Sequence, residues 1–106
     1  MSFPPPQGEI RLTRDDARLC LVLVGEIDAA VIAEFRAISA PVDVTAAVGV
    51  VDASAVTFLS VQGLHLLIQQ TEHVRRAGLL PVLVDAPRAV RRVLDLTGLA
   101  RLFDHV

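Results

Sequence analysis

From Glu9 the chain alternates, with Ile10 and Leu12 set against Glu9, Arg11 and Thr13. That is the period of a strand with one face covered. Asp15-Asp16 suits a turn, which predicts a hairpin into the next segment. Leu19-Cys20-Leu21-Val22-Leu23-Val24 is apolar at every position and predicts a strand covered on both faces. Gly25-Glu26-Ile27 follows it. Asp28 is placed to cap a helix over Ala29 to Ser39, where Val31, Ile32, Phe35 and Ile38 recur at helical spacing with Glu34 and Arg36 opposite. Pro41 stops that helix, and the stretch to Ala47 reads as a loop. Val48-Gly49-Val50-Val51, ending in Asp52, predicts a third strand, and Ala53 to Leu59 reads as a connection. Ser60 caps a longer helix, Val61 to Ala77, with an inward stripe of Leu64, Leu67, Ile68, Thr71 and Val74. Gly78 closes it. Leu79 to Val84 predicts a fourth strand, in which Pro81 demands an edge position or a strand start. Pro87 opens a third helix, buried through Val90, Val93 and Leu94 and ended by Gly98. Leu99, Leu102 and Phe103 read as a last short turn on the core.

The order β-β-α-β-α-β-α defines the class as α/β, a small mixed sheet of about four strands packed with helices. Residues 1–8, with Pro4, Pro5 and Pro6, read as a disordered tail, and 9–106 as a single domain. Length and composition agree with this. The chain has 106 residues, 53% of them apolar and 21% charged, enough for an ordered domain with its own core. Its one cysteine, Cys20, excludes an internal disulfide and reads as a small apolar residue of a strand. No apolar run approaches the roughly 20 residues of a membrane span. The N-terminus lacks the basic and apolar regions of a signal peptide. These features predict a cytoplasmic protein without direct membrane insertion.

All ten basic residues are arginines, and the formal net charge is −2, which gives no general field for nucleic acid. The charge is uneven. Residues 1–53 hold four Arg against eight Asp and Glu, and residues 54–106 six Arg against four. This asymmetry and the arginines of the third helix suit the docking of a protein partner. The high apolar fraction leaves a homodimer open.

Enzyme chemistry finds no foothold. His65 and His73 are eight residues apart on one helix, and no HExxH, Cys-His cluster, GxSxG elbow, P-loop or GxGxxG pattern occurs. The expectation is no metal, no cofactor and no catalytic residue. The segment that stands out is Val50 to Leu67, where a strand ends in Asp52, a short apolar stretch follows, and a helix starts at Ser60. Strand ends in open α/β sheets are where ligands and partners meet the fold. A helix start favours an anion, including a phosphate on a nearby hydroxyl. The plainer role of Ser60 is a cap worth about 1 kcal/mol.

Three stretches resemble the STAS domain, the fold of anti-sigma factor antagonists. Gly25-Glu26-Ile27-Asp28-Ala29-Ala30 is similar to its Gly-Glu-Leu-Asp turn. Val51-Asp52-Ala53-Ser54-Ala55-Val56-Thr57-Phe58-Leu59 is similar to its Leu-Asp-Leu-Ser-Gly-Val-Thr-Phe-Ile loop. Val93-Leu94-Asp95-Leu96-Thr97-Gly98-Leu99 is similar to its C-terminal Leu-x-x-x-Gly-Leu element. The resemblance implies a non-catalytic protein that binds an anti-sigma factor, itself a serine kinase, and so frees a sigma factor. In the family a Ser or Thr of Asp-Ser-Ser-Gly at the second helix is phosphorylated, which ends binding. Here the stretch is Ser60-Val61-Gln62-Gly63, so Val61, without a hydroxyl, stands at the acceptor position. Three readings follow: a constitutive antagonist, a displaced phosphosite at Ser60, or a STAS domain outside this circuit. The last would be a subunit or scaffold of an ABC lipid transporter or a larger signalling complex, or a binder of small ligands. The partner surface implied is Val56, Thr57, Phe58, Ser60, Val61, Gln62 and His65, bordered by Asp28.

Overall fold

The computed structural model describes residues 8–15, 18–39 and 48–106. Of the expected turn at Asp15-Asp16, Asp15 ends the first strand and Asp16 lies outside them, as do the loop leading to residue 47 and most of the N-terminal tail. The elements are β1 (Gly8–Asp15), β2 (Arg18–Ile27), α1 (Ala29–Ser39), β3 (Val48–Leu59), α2 (Val61–Arg76), β4 (Val82–Val84), α3 (Arg88–Thr97), a 3-10 turn (Ala100–Leu102) and β5 (Asp104–His105). Gly8 belongs to the sheet and not to the tail. The strands form one sheet in the order β1-β2-β3-β4-β5. β1 pairs with β2 as the expected antiparallel hairpin, and β2 to β5 run parallel.

Each parallel connection steps one strand onward in the same direction. Right-handed crossovers of that kind put all three helices on one face of the sheet. The core is one-sided accordingly. Leu21 and Leu23 of β2, Val51 of β3 and Leu83 of β4 point to that face and are fully buried, with Leu21, Val51 and Leu83 in one register row. They meet Phe35 of α1, Leu64 and Leu67 of α2, and Val90 and Leu94 of α3. The residues between them, Cys20, Val22 and Val24 on β2 and Val50, Val82 and Val84 on β3 and β4, turn to the other face and are only half-buried. Among the described elements the apolar run at 19–24 is therefore covered on one face, not on both.

Three further expectations are corrected. The sheet has five strands, because Asp104–His105 pairs with Val82 and Leu83. A two-residue strand carries no readable period. Residues 53–59 are strand, not connection, so β3 runs unbroken to the start of α2. Three register shifts against β2, at Leu19/Cys20, Val22/Val24 and Gly25/Glu26, each place an extra residue in β3. Bulges of this kind break the alternation by which a strand is read. The fourth strand begins at Val82 and not at Leu79; Leu79 and Leu80 are exposed. The Leu79 amide is spent on the carbonyl of Val74, which closes α2. Pro81 then serves as a strand start, its carbonyl accepting the Asp104 N–H at 2.9 Å.

Helix faces follow the predicted periods with local exceptions. Ile38 is 73% exposed instead of buried, on the wall of an open cleft between α1 and β1. On α2, Ile68 and Val74 are half-buried, while Gly63 and Leu66 join the buried face. Arg75 ties α2 to the C-terminal turn. Its guanidinium donates to Thr71 Oγ1 at 2.7 Å, to the Ile68 carbonyl at 2.6 Å and to the Leu102 carbonyl at 3.4 Å, and lies 5.6 Å from the Phe103 ring centre. Burial lowers its pKa from the usual arginine value, opposed by the charge of Glu72.

Candidate functional site

The parallel strands β2 and β3 end side by side, and each passes directly into a helix. The Ser60 N–H donates to the Ile27 carbonyl at 3.0 Å, which fixes the two exits against each other. One residue beyond Ile27, Asp28 caps α1 by accepting the Val31 N–H at 3.0 Å. Ser60 caps α2 in the same way, its Oγ accepting the Gly63 N–H at 3.0 Å. Two capped helix starts therefore stand together at one end of the sheet, as their sequence signatures require.

The sequence-predicted residues divide by this geometry. Phe58, at 51% exposure, and Val61, at 63%, present apolar side chains to solvent within four residues of one another. Thr57, Gln62 and His65 are exposed beside them, and Ser60 and Asp28 are half-buried. Val56 is different: at 4% exposure it belongs to the core and offers no surface. The strand's bulges set this division. Strict alternation is lost, and Ala53, Val56 and Leu59 face inward at spacings of three; Ser54, Ala55, Thr57 and Phe58 are left outside.

Two supports of the site escaped the sequence reading. Asp52 Oδ1 accepts both the Ser54 N–H at 3.0 Å and the Ser54 hydroxyl at 2.7 Å, which pins the first of the two bulges leading to the site. The Asp-x-Ser spacing was the available signal. Glu26, exposed on β2, lies in register with Phe58 and gives the apolar pair an acidic neighbour. Only the bulged register shows that pairing. The second bulge meets Gly25, whose φ of 75° suits glycine. Gly63 is needed for space, since a Cβ there would lie 2.7 Å from Leu59 Cδ1 and 3.1 Å from Ile27 Cγ2. It lets α2 start directly over the ends of both strands.

Chemically, the arrangement is an exposed apolar pair with polar neighbours. Ser60 Oγ is engaged as a cap. His65 and His73 lie on exposed positions of α2, and among the described residues no three His, Cys, Asp or Glu side chains gather as metal ligands. No helix among the described residues is long and apolar enough to cross a membrane.

Comparison with known proteins fits the fold. The family model for the STAS domain matches residues 9–106, and the chain belongs to the STAS domain family. Its structure is similar to that of the anti-sigma factor antagonist SpoIIAA in its unphosphorylated form, with a TM-score of 0.69 at 18% identity over 92% of this chain and 87% of that one. It is also similar to an anti-sigma factor antagonist from Mycobacterium paratuberculosis, with a TM-score of 0.67 at 29% identity over 97% of this chain and 89% of that one. No curated protein matched the sequence.

Proposed function

We propose that the protein is a non-catalytic anti-sigma factor antagonist, which docks on an anti-sigma factor with serine-kinase activity and so releases a sigma factor. The observation that carries this reading is the exposed pair Phe58 and Val61 at the start of α2, in a chain of the STAS family whose structural neighbours are antagonists. Docking removes this apolar surface from water, worth about 1–2 kcal/mol for Val61 alone. Thr57, Gln62 and His65 form the polar rim, and Asp28 and Ser60 hold the two helix starts in place.

Val61 has no hydroxyl, so the usual phosphate switch has no acceptor at the outward-facing first position of α2. Ser60, one residue earlier, is rotated by about 100° on the helix, is half-buried, and holds the Gly63 amide. The binding state is therefore constitutive.

The test is incubation of the protein with the host's candidate anti-sigma kinases and ATP, with binding read by calorimetry and phosphorylation by intact mass. Binding with unchanged mass supports the reading, and a Val61→Asp variant then binds at least tenfold more weakly. A mass gain abolished by Ser60→Ala would replace constitutive binding by a displaced switch. Failure to bind any of them would sink the antagonist reading in favour of a transporter subunit or scaffold.

A further inference from the structure

We infer that the open face of the sheet, opposite the helices, is a self-association surface on which two copies of this chain pack sheet against sheet. The topology itself produces the face. With α1, α2 and α3 all on one side, no described element covers the other, yet its central positions are Cys20, Val22 and Val24, continued by Val50, Val82 and Val84. Cys20, Val22 and Val24, with Val50 beside them, form a contiguous, partly exposed apolar surface, of which Val82 and Val84 on β4 are the margin beyond the overlap of the two copies, and surfaces of this kind mark interaction sites.

Charge selects the occupant. Arg11 of β1, Val22 of β2 and Asp52 of β3 lie in one register row, with the arginine and the carboxylate one strand to either side of the valine. A two-fold axis running along β2 exchanges those flanks. It lays Arg11 of each copy over Asp52 of the other and brings Val22 and Cys20 of the two copies together on the axis. Asp52 would be a buried carboxylate without a counter-ion against any purely apolar partner, at substantial desolvation cost; a second copy supplies that counter-ion, twice over by symmetry. Glu9, the present partner of Arg11 at 3.6 Å, is a solvent-exposed competitor and holds it only weakly.

The size of the face sets the strength. Three overlapping strands, about 4.8 Å apart and about 20 Å long, give on the order of 300 Å² of flat overlap per copy. Stable complexes bury about 800 Å² per partner. The dimer is thus weak and forms with concentration. It leaves α2 and Val61 free; Phe58, in register with Glu26, lies at the end of the same face, beyond the row of Arg11, Val22 and Asp52.

Sedimentation of the purified chain across about 10 to 500 µM is the test, joined to cross-linking at its single cysteine with a bis-maleimide of about 10 Å reach, the separation of stacked sheets. The expected result is a concentration-dependent dimer, cross-linked through Cys20 of both copies. Arg11→Glu, a change at an exposed position, weakens both signals at least tenfold, and Arg11→Lys keeps them. A monomer at every concentration overturns the inference. So does a dimer that Arg11→Glu leaves intact or that gives no Cys20 cross-link. A monomer whose Cys20 resists maleimide overturns it too, because the face is then closed by the chain itself.

Discussion

Val61 turns its side chain into solvent at the first position of α2, with no backbone partner to satisfy and no core contact to keep. A substitution there changes the surface proposed for docking and is expected to leave the fold alone. Val61→Ser places a hydroxyl at the outward position without disturbing the Ser60 cap. The expected outcome with a partner kinase and ATP is a gain of about 80 Da on this variant and none on the wild type, with loss of binding as the phosphate accumulates. A variant that binds the kinase but stays unmodified would show that more than the hydroxyl is missing. Two residues on, Gly63 has the opposite character. A Cβ there meets Leu59 Cδ1 at 2.7 Å and Ile27 Cγ2 at 3.1 Å, both in the core. Gly63→Ala gains helix propensity but overpacks the junction, and the net expectation is a loss of about 1–3 kcal/mol, read as a lower urea midpoint with an unchanged slope. Both positions are legible in the sequence as a motif. The reason for the glycine is not, because the crowding comes from β2 and β3 together.

At the scale of elements, β3 separates what a sequence can show from what it cannot. Residues 48–51 alternate little but are β-branched and apolar, and read as strand. Residues 53–59 do not, because extra residues opposite Val22–Val24 and Gly25–Glu26 shift the inward set to Ala53, Val56 and Leu59. A period of three mimics a helix or a connection. Register against a neighbouring strand is nonlocal and leaves no mark on the strand itself. Without that register Val56 falls on the partner surface, although it lies in the core. The bulged course is held by Asp52, which spends one carboxylate oxygen on two Ser54 donors. Asp52→Ala releases both and is expected to cost about 1–3 kcal/mol. Faster amide exchange confined to residues 53–58 would be its signature, and uniform exchange across the sheet would show that Asp52 does not hold the bulge. The helices read better, since an amphipathic period is local. Their errors fall at ends, as at Ile38, where α1 stands off β1 across an open cleft.

Among the described residues the molecule is a sheet with one covered face, and its stability is uneven for that reason. Leu21, Leu23 and Val51 lie at the centre with no exposure. Toward β1 the cover thins. Ile10 and Leu12 are half-buried, and a cleft of about 710 Å³ opens between β1 and α1, lined by those residues with Val31, Glu34, Phe35 and Ile38. Void space removes dispersion partners from the groups that line it, and thinly packed segments open at lower free energy than the core. The β1–α1 corner is therefore expected to open before the β2–β3 centre. Amide exchange followed by NMR should give the largest protection at residues 20–24 and 50–52, and less at residues 9–13, although all of these amides belong to one sheet. Mutations should follow the same gradient. Ile38→Asp, at 73% exposure, is expected to stay within about 0.5 kcal/mol of wild type. Leu67→Ala, fully buried on α2, should cost about 2–5 kcal/mol. Equal protection across β1, β2 and β3 would mean that the cleft is filled in solution and the corner is as firm as the centre. A gradient in exchange matched by a gradient in mutational cost would locate the rigid part of the molecule in the β2–β3 centre, on which the strand ends carrying the start of α2 are built.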